Sequence, residues 1–306
     1  MRTATLVYNP VAGRNPARRE REIGQAIEAL SSAGVNCQAA RTTGPGMATE
    51  LARRAAASGQ DLIIACGGDG TVNEVVNGLA PGPTPLAILP GGTANIITNE
   101  LRLPSSPVRA ARQLAGWRPR RIALGYASGH SLSPGSSPHG HEMGRYFLGV
   151  AGVGFDAYVV HKLGFAFKMS LGITAYLIEG VRQLMRYSFP GVVCQIDGRR
   201  METSFALIQR TSRYAGNFRT APRQALANNH LGISLFTRPG RLHYIYYAAA
   251  IVAQRRPRSV EYREVACASF NAEPETRVYF ELDGELAGML PVKFEVMRDA
   301  LTLLMP

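Results

Sequence analysis

The chain has 306 residues, 46% of them hydrophobic, which predicts a globular protein of about two domains. No apolar run reaches the ~18 residues that a spanning helix needs, and the four cysteines lie far apart without a CxxC pair. The first feature argues against an integral membrane protein, and the second suits a chain kept in a reducing cytoplasm. The net charge of +12 is divided equally between residues 1–121 and 122–306, so it does not form a separate basic tail. The chain also lacks the aromatic–basic platforms of nucleic-acid readers. Both observations argue against nucleic-acid binding.

In the first third of the chain, strand and helix patterns alternate. The predicted strands are 3–8, 35–40, 61–66 and 85–89, and the predicted helices are 16–33, 47–58, 94–99 and 107–115. In the first helix we place Ile23 and Leu30 on the buried face and Arg18, Arg19 and Glu22 outside. This βαβ alternation predicts a parallel sheet covered on both faces, with ligands bound beyond the carboxyl ends of its strands.

The most informative stretch is the glycine-rich turn between the third strand and the helical pattern that follows it. Gly67, Gly68 and Gly70 let the main chain approach a ligand closely, and the start of the helix favours an anion. Asp69 would repel a bare phosphate, so its presence in the turn suggests a metal ion or a proton transfer nearby. An ordinary strand-to-helix turn is the alternative, but Thr71 and the Asn-Glu pair at 73–74 favour a phosphate site.

Two further turns follow strands one and four. They are NPVAGR at 9–14 and LPGGTAN at 89–95, and the second adds Gly92 as a candidate for nucleotide contact. Either turn alone would more often be structural. Because parallel strands end at one edge of a sheet, three such turns together indicate a binding site there.

After residue 121 the pattern changes to short β-rich segments with one predicted helix at 170–186. We therefore predict an α/β fold with a parallel-sheet nucleotide-binding domain at 1–121 and a mainly antiparallel β-sandwich domain at 122–296, residues 297–306 returning to the first. The apolar residues at 242–253 form the longest apolar run.

A second acidic motif lies near the end of the chain, where Asp283 and Glu285 stand two residues apart in FELDGEL. Asp-Gly is the commonest hairpin turn, and without context this would be one. With a phosphate-binding turn upstream, these carboxylates become candidates for a general base.

Together these segments resemble the diacylglycerol kinase and sphingosine kinase superfamily, and most of all the bacterial diacylglycerol kinase and YegS-like branch. The matching segments run in family order over nearly the whole chain: NPVAGR (9–14), GGDGTVNEVVNGL (67–79), LPGGTAN (89–95), RYFLGVAGVGFDAYV (145–159), a helix with Lys168 and Tyr176, YAGNFRTAP (214–222) and LDGELAGMLP (282–291). The Gly67 motif alone is shared with NAD kinases and phosphofructokinases.

The resemblance implies a kinase that binds ATP and Mg²⁺ between its two domains. Asp69 would act on Mg²⁺ through water, and Asp283 or Glu285 would take the proton from a lipid hydroxyl. The residues implied to hold the nucleotide are Asn9, Gly13, Thr42, Gly68, Gly70, Thr71, Asn73, Glu74, Thr93 and Asn95. Phe165, Phe167 and Met169, with residues 153–160, would line the lipid pocket or pack in the core.

The chain departs from the family pattern at three places. Ile96 and Ala123 stand where bacterial members often have Asp residues of the network around magnesium. Ala227-Asn228-Asn229 replaces an Asp-Asp-Gly that holds a second, structural magnesium, and since neutral side chains bind a hard dication poorly, we predict that this site is lost.

The leading hypothesis is an ATP-dependent lipid kinase acting on a diacylglycerol-like or sphingoid lipid. Without a signal-peptide pattern, we expect it to be cytoplasmic and peripheral at the inner membrane surface, attracted by its basic charge; a homodimer is compatible with the sequence. The alternatives are a degenerate member that only binds nucleotide or lipid, favoured by Ile96 and Ala123, and an NAD kinase-like enzyme.

Overall fold

The computed structural model describes residues 3–13, 16–132, 144–162, 173–214, 218–221, 223–255, 257, 259–273 and 275–306. The chain divides into two compact units. The first comprises Met1–Ala123 and Arg298–Pro306, and the second comprises Leu124–Met297.

The first unit is a parallel α/β layer structure. Its elements in chain order are β1 Thr3–Tyr8, α1 Pro16–Ser32, β2 Asn36–Arg41, α2 Met47–Ala57, β3 Leu62–Gly67, α3 Asp69–Leu79, β4 Leu86–Pro90, α4 Ile96–Glu100, α5 Pro107–Gln113, a 3₁₀ turn Leu114–Gly116, the start of β5 Arg118–Ser128 and the end of β18 Val292–Met305. The strand order is β2-β1-β3-β4-β18, and all these pairs are parallel. Every residue of β3 and β4 is buried, as expected for strands covered on both faces.

The strand order places a topological switch point between β1 and β3. From β1 the chain moves to one side to form β2 and then crosses to the other side to form β3. At such a point the loops that follow the two central strands diverge and leave a crevice at the carboxyl edge of the sheet. The loops that begin at Asn9 and Gly67 leave the sheet at this edge.

The second unit is an antiparallel β-sandwich. Its remaining strands are β6 Gly144–Phe147, β7 Val150–Val153, β8 Val192–Ile196, β9 Arg199–Thr203, β10 Phe205–Gln209, β11 Arg213–Tyr214, β12 Phe218–Arg219, β13 Leu231–Phe236, β14 Val260–Val265, β15 Cys267–Ala272, β16 Tyr279–Leu282 and β17 Glu285–Met289. One sheet has the order β14-β13-β10-β7-β16-β17, and the other pairs β15 with β8 and with the start of β18. Phe280 of the first sheet and Phe270 of the second both contact Phe294 edge-on, with ring centroids 6.0 and 5.7 Å away, so one apolar core joins the sheets.

The predicted fold class is confirmed, but the expectation of one helix in the second domain was wrong. The described part of this unit has three helices: α6 Phe155–Lys162, α7 Ile173–Leu184 and α8 Arg241–Val252. Helix α8 buries Tyr244 and Tyr247 but exposes Leu242 and Ile245 on its other side. Since it is apolar all round, its sequence lacks the alternation of faces by which a surface helix is recognised.

None of the helices in the described ranges is both long and apolar enough to cross a membrane.

Helices α2 and α3 pack so closely that we expect Gly78 to be required between them. A Cβ at Gly78 would lie 2.4 Å from the Thr49 carbonyl oxygen and 2.9 Å from the Ala52 Cβ. We predict that Gly78→Ala lowers the free energy of unfolding by about 1–3 kcal/mol, because backbone must move to admit the methyl group. The matched control is Gly24→Ala in α1, where no atom lies within 4 Å of the added Cβ.

The control substitution should instead stabilise the protein by about 0.5–1 kcal/mol, since alanine is the better helix former. Urea unfolding followed by circular dichroism measures both variants. An equal effect of the two substitutions would contradict the packing argument.

Candidate functional site

The loops that follow β1, β2 and β3 meet at the carboxyl edge of the parallel sheet. The Thr42 N–H donates to the Tyr8 carbonyl oxygen at 2.9 Å, and the Asn9 N–H donates to the Cys66 carbonyl oxygen at 3.3 Å. These bonds continue the ladder to the last residue of each strand, so neighbouring loops begin side by side. The structure therefore brings Asn9, Thr42 and the Gly67 turn together, at the edge where ligands of such sheets bind.

The turns after β3 and β4 pack backbone against backbone. A Cβ at Gly91 would lie 2.7 Å from the Gly67 nitrogen, and a Cβ at Gly92 would lie 2.4 Å from the Gly68 Cα. Real Cβ atoms do not approach other atoms so closely, so this contact requires glycine. The two turns form one surface made largely of main chain.

Asp69 joins this surface to the start of α4. Its carboxylate Oδ1 accepts the Ile96 N–H at 2.8 Å. Asn95, in the left-handed region with φ 49°, exchanges two 2.9 Å hydrogen bonds with the main chain of Gly92. Gly70 and Thr71 lie in the first turn of α3, where N–H groups have no acceptor within the helix and the dipole is positive. Together these features offer amide donors, small polar side chains and one carboxylate at a single edge.

The side chains of Glu74 and Asn73 both make contacts within the first unit, the former half-buried and the latter buried. The Glu74 carboxylate accepts the N–H groups of Gly46 and Ala48 at 2.9 and 3.0 Å and so caps the start of α2. Asn73 is 1% exposed, and its Oδ1 accepts a bond from Asn77 at 3.2 Å. Their observed contacts order the loop after β2 and the body of α3.

Arg19 belongs to the site, although sequence reasoning placed it on the outer face of α1, and that placement was wrong. The side chain is buried, and its guanidinium donates to the carbonyl oxygens of Gly91 at 2.6 Å and Ala12 at 3.3 Å. It thereby ties the turn after β1 to the turn after β4, using the fixed fork of donors that only arginine has. A signal existed: Arg19 stands four residues before Ile23, in line with the buried face of α1.

The second unit contains the acidic turn between β16 and β17. The Asp283 carboxylate accepts three main-chain N–H groups, those of Leu148, Gly149 and Val150, at 2.8–2.9 Å. Glu285 is more exposed and pairs with Arg145 at 2.6 Å. The two predicted acids therefore differ: one is held by backbone and the other by a cation.

Two further buried acids lie close to this turn and were not predicted as site residues. Glu281 accepts the Gly284 N–H at 2.6 Å, and Asp156 accepts the Tyr214 hydroxyl at 2.9 Å. Both carboxylates are 3% exposed and border Gly152, where a Cβ would lie 2.4 Å from Asp156 Oδ2 and 2.9 Å from Glu281 Oε1. Their local sequence carries little signal, since nothing in it distinguishes a buried acid from an exposed one.

The loop in which a structural magnesium was predicted to be lost is organised by a guanidinium. Arg210 is fully buried, and its nitrogens donate to the carbonyl oxygens of Leu226 at 3.2 Å, Asn228 at 2.6 Å and His230. Burial lowers the pKa of Arg210 to about 10, so it remains charged at neutral pH. A cationic side chain thus binds the carbonyls of this loop, and the loss of the structural magnesium stays a prediction.

Ile96 and Ala123 stand at two positions where aspartates of the magnesium network were expected. Neither position therefore supplies a second carboxylate to act with Asp69. Ile96 is half-buried at the start of α4, and Ala123 is buried in β5. Among the described residues, no group of three or more His, Cys, Asp or Glu could hold a metal ion. Phe165, Phe167 and Met169, expected to line the lipid pocket or pack in the core, lie outside the described residues, as does Lys168 of the matching helix.

Comparison with known families identifies the class to which this architecture belongs. The family described as "Diacylglycerol kinase catalytic domain" matches residues 3–127, and the family described as "YegS C-terminal NAD kinase beta sandwich-like domain" matches residues 149–305. The chain belongs to the diacylglycerol kinase and YegS family, as its motifs indicated.

Individual relatives align along almost the full length. The "Diacylglycerol kinase" of Bacillus subtilis is 28% identical over 312 residues, covering 100% of this chain and 97% of the relative. That of Staphylococcus epidermidis is 28% identical over 309 residues, covering 99% and 92%. A crystal structure described as a diacylglycerol kinase of Bacillus anthracis is 24% identical, covers 100% of this chain and 97% of its own, and shares the fold with a TM-score of 0.75.

We predict that the Arg19 contact stabilises the first unit. Arg19→Lys should lower the free energy of unfolding by about 1–3 kcal/mol, because one ammonium cannot serve both carbonyls and leaves a buried acceptor unpaired. Arg18→Lys is the matched control, since Arg18 also pairs with Glu22 in α1 but its side chain is 75% exposed. The control should stay within about 0.5 kcal/mol of the wild type in chemical denaturation. Equal losses in both variants would contradict the assignment.

Proposed function

We propose that the protein is an ATP-dependent lipid kinase that transfers the γ-phosphate to a hydroxyl group of a diacylglycerol-like or sphingoid lipid. The observation that supports this most is the continuous main-chain surface that the Gly67–Gly68 and Gly91–Gly92 turns form beside Asp69. Membership of the diacylglycerol kinase family and the names of the relatives agree with it. The enzyme would work in the cytoplasm and meet its lipid at the inner membrane surface.

The residues at the sheet edge fit a nucleotide with its magnesium ion. The glycine contacts leave no room for side chains, so phosphate oxygens can reach the main chain and the first turn of α3. Magnesium commonly takes one or two carboxylates and completes its shell with phosphate oxygens and water, and Asp69 can serve as that carboxylate. Asn9, Gly13, Thr42, Thr93 and Asn95 would contact the rest of the nucleotide.

Bound ATP supplies the phosphoryl group, and magnesium neutralises its charge. The protein then needs a base for the lipid hydroxyl, and Asp283 and Glu285 are the candidates. Asp283 is fixed in one orientation by its three backbone donors, whereas Glu285 is held by Arg145 and is open to solvent. One of the two would accept the proton while the other keeps the turn in place.

The second candidate function is a degenerate kinase that binds nucleotide or lipid without turnover. Ile96 and Ala123 favour this second candidate, because they are neutral residues at two positions where carboxylates of the magnesium network were expected. An NAD kinase-like activity is a third and weaker candidate, since it would share the Gly67 turn.

The proposal is tested by incubating the protein with labelled ATP, Mg²⁺ and mixed micelles of diacylglycerol, monoacylglycerol, sphingosine and ceramide, with NAD in a parallel reaction. We expect a labelled lipid, and we expect Asp69→Asn to lower its formation at least about 100-fold, because the neutral amide keeps the Ile96 contact but loses the charge. Asp61→Asn is the matched control, since Asp61 lies at the opposite end of β3.

The control should retain wild-type activity. ATP binding without labelled lipid or labelled NAD would favour the degenerate module. Labelled NAD without labelled lipid would replace the proposal with a nucleotide kinase.

The two acids are separated by Asp283→Asn and Glu285→Gln, assayed with the identified lipid. Removal of the base should lower kcat by about 10²–10⁴, whereas removal of the helper should cost about tenfold or less. A carboxamide has only one oxygen and cannot accept three N–H bonds, so the Asp283→Asn variant should also unfold at a lower temperature, which a thermal melt records beside the activity. Near-normal turnover in both folded variants would rule out this turn as the source of the base.

A further inference from the structure

Helix α8 presents an apolar surface to solvent. On its buried side Tyr244, Tyr247 and Ala250 pack in the second unit, whereas the opposite side exposes Leu242 (81%), Ile245 (54%), Tyr246 (53%) and Val252 (59%). The exposed positions between them, Ala248 and Ala249, are also apolar. A helix at the surface of a soluble protein normally has a polar side that faces water. An exposed apolar side of this kind indicates a binding surface.

The end of α7 extends the apolar surface. Val181 and Met185 stand one turn apart and are 71% and 60% exposed. Arg241, the first residue of α8, donates from Nη2 to the Met185 carbonyl oxygen at 2.8 Å, which fixes the end of α7 beside the start of α8. An open groove of about 470 Å³ lies here, lined by residues that include Tyr187, Phe189 and Leu242. We define the α7–α8 surface as the exposed apolar side chains of the two helices and of the residue that follows α7, which are residues 181, 185, 242, 245, 246 and 252.

The segments that carry the α7–α8 surface are rich in arginine. The exposed arginines in these segments are Arg182, Arg186, Arg238, Arg241 and Arg255. Within 179–190 and 237–255 the one acidic residue is Glu179, which is 8% exposed and lies 3.8 Å from Arg182. Arginine can lay its aliphatic part along an apolar surface while its charged end reaches outward.

We infer that the α7–α8 surface docks on an anionic lipid bilayer. Apolar side chains would enter the boundary between headgroups and acyl chains, and the arginines would meet lipid phosphates, which is the division of roles in interfacial helices. Tyr246 suits the same depth, since tyrosine has an apolar ring with a polar tip. The inference rests on the proposed function, which requires the protein to bind a membrane. It extends that function by naming the surface that contacts the bilayer.

Charge distinguishes the bilayer from a second copy of the chain. A symmetric dimer through the α7–α8 surface would bring the same patch of each copy together and set arginines against arginines. Like charges brought together in this way oppose association. An anionic bilayer complements both the apolar and the basic part of the surface.

The experiment measures sedimentation of the full chain with sucrose-loaded vesicles of equal parts phosphatidylglycerol and phosphatidylcholine. We expect Leu242→Gln with Ile245→Gln to lower the partition coefficient at least about tenfold. Met297→Gln, at another exposed apolar residue, is the matched control and should bind like the wild type.

A second pair of variants isolates the charge. Arg182→Gln with Arg255→Gln should lower binding about fivefold per arginine at low salt, while Arg199→Gln with Arg200→Gln removes the same charge from exposed β9 and should leave binding nearly unchanged. Pure phosphatidylcholine vesicles should bind weakly. The inference would be overturned if both arginine pairs lowered vesicle binding equally. It would also be overturned if the Leu242/Ile245 variant bound the vesicles as well as the wild type.

Two further outcomes would also overturn it. One is failure of the wild type to bind anionic vesicles. The other is a wild-type dimer in analytical ultracentrifugation that the Leu242/Ile245 variant converts to monomer, which would make the surface an interface between copies. Turnover of a soluble short-chain diacylglycerol or a soluble short-chain sphingosine without vesicles tests the kinase separately. Vesicle binding without turnover of either lipid leaves the docking surface standing and removes the proposed function.

Discussion

The first unit depends on the contact between two glycine turns, because that contact fixes where α3 and α4 begin. Gly67 and Gly68 meet Gly91 and Gly92 at distances that exclude a Cβ. Once the turns are in contact, the carboxylate of Asp69 can reach the main chain at the start of α4. Main-chain donors and the Asp69 carboxylate are thereby held at one edge of the parallel sheet, in the crevice that its strand order creates.

Arginine has a structural role in this chain beyond its contribution to net charge. Arg19 bridges two loops through their carbonyl oxygens, Arg210 joins three carbonyls of another loop, and Arg121 donates to the Gly82 carbonyl at 2.7 Å. Irregular segments leave carbonyl groups without partners in a helix or sheet, and a buried acceptor without a donor costs free energy. Part of the +12 charge therefore serves the fold, whereas Arg186, Arg238 and Arg255 near α8 are exposed.

The second unit combines an enclosed acidic turn with an exposed apolar helix. Asp283 and Glu281 bind main-chain amides around β16, so the turn that carries Glu285 is rigid. Helix α8, in contrast, exposes apolar residues that contribute nothing to the core of the unit. In the proposed lipid kinase these features would have separate roles, the turn acting on the substrate hydroxyl and the helix holding the enzyme at the bilayer.

Features with a local cause could be predicted from the amino-acid pattern. They include the glycines at strand ends, the strand–helix alternation and the Asp-Gly-Glu turn, because close backbone approach and periodicity depend on a few neighbouring residues. The contacts of Arg19, Glu74 and Arg210 became visible in the folded chain alone, since their partners lie up to 72 residues away along the chain. The tertiary structure also decided that α8 has an exposed side, because a helix that is apolar all round carries no signal of which side meets the core.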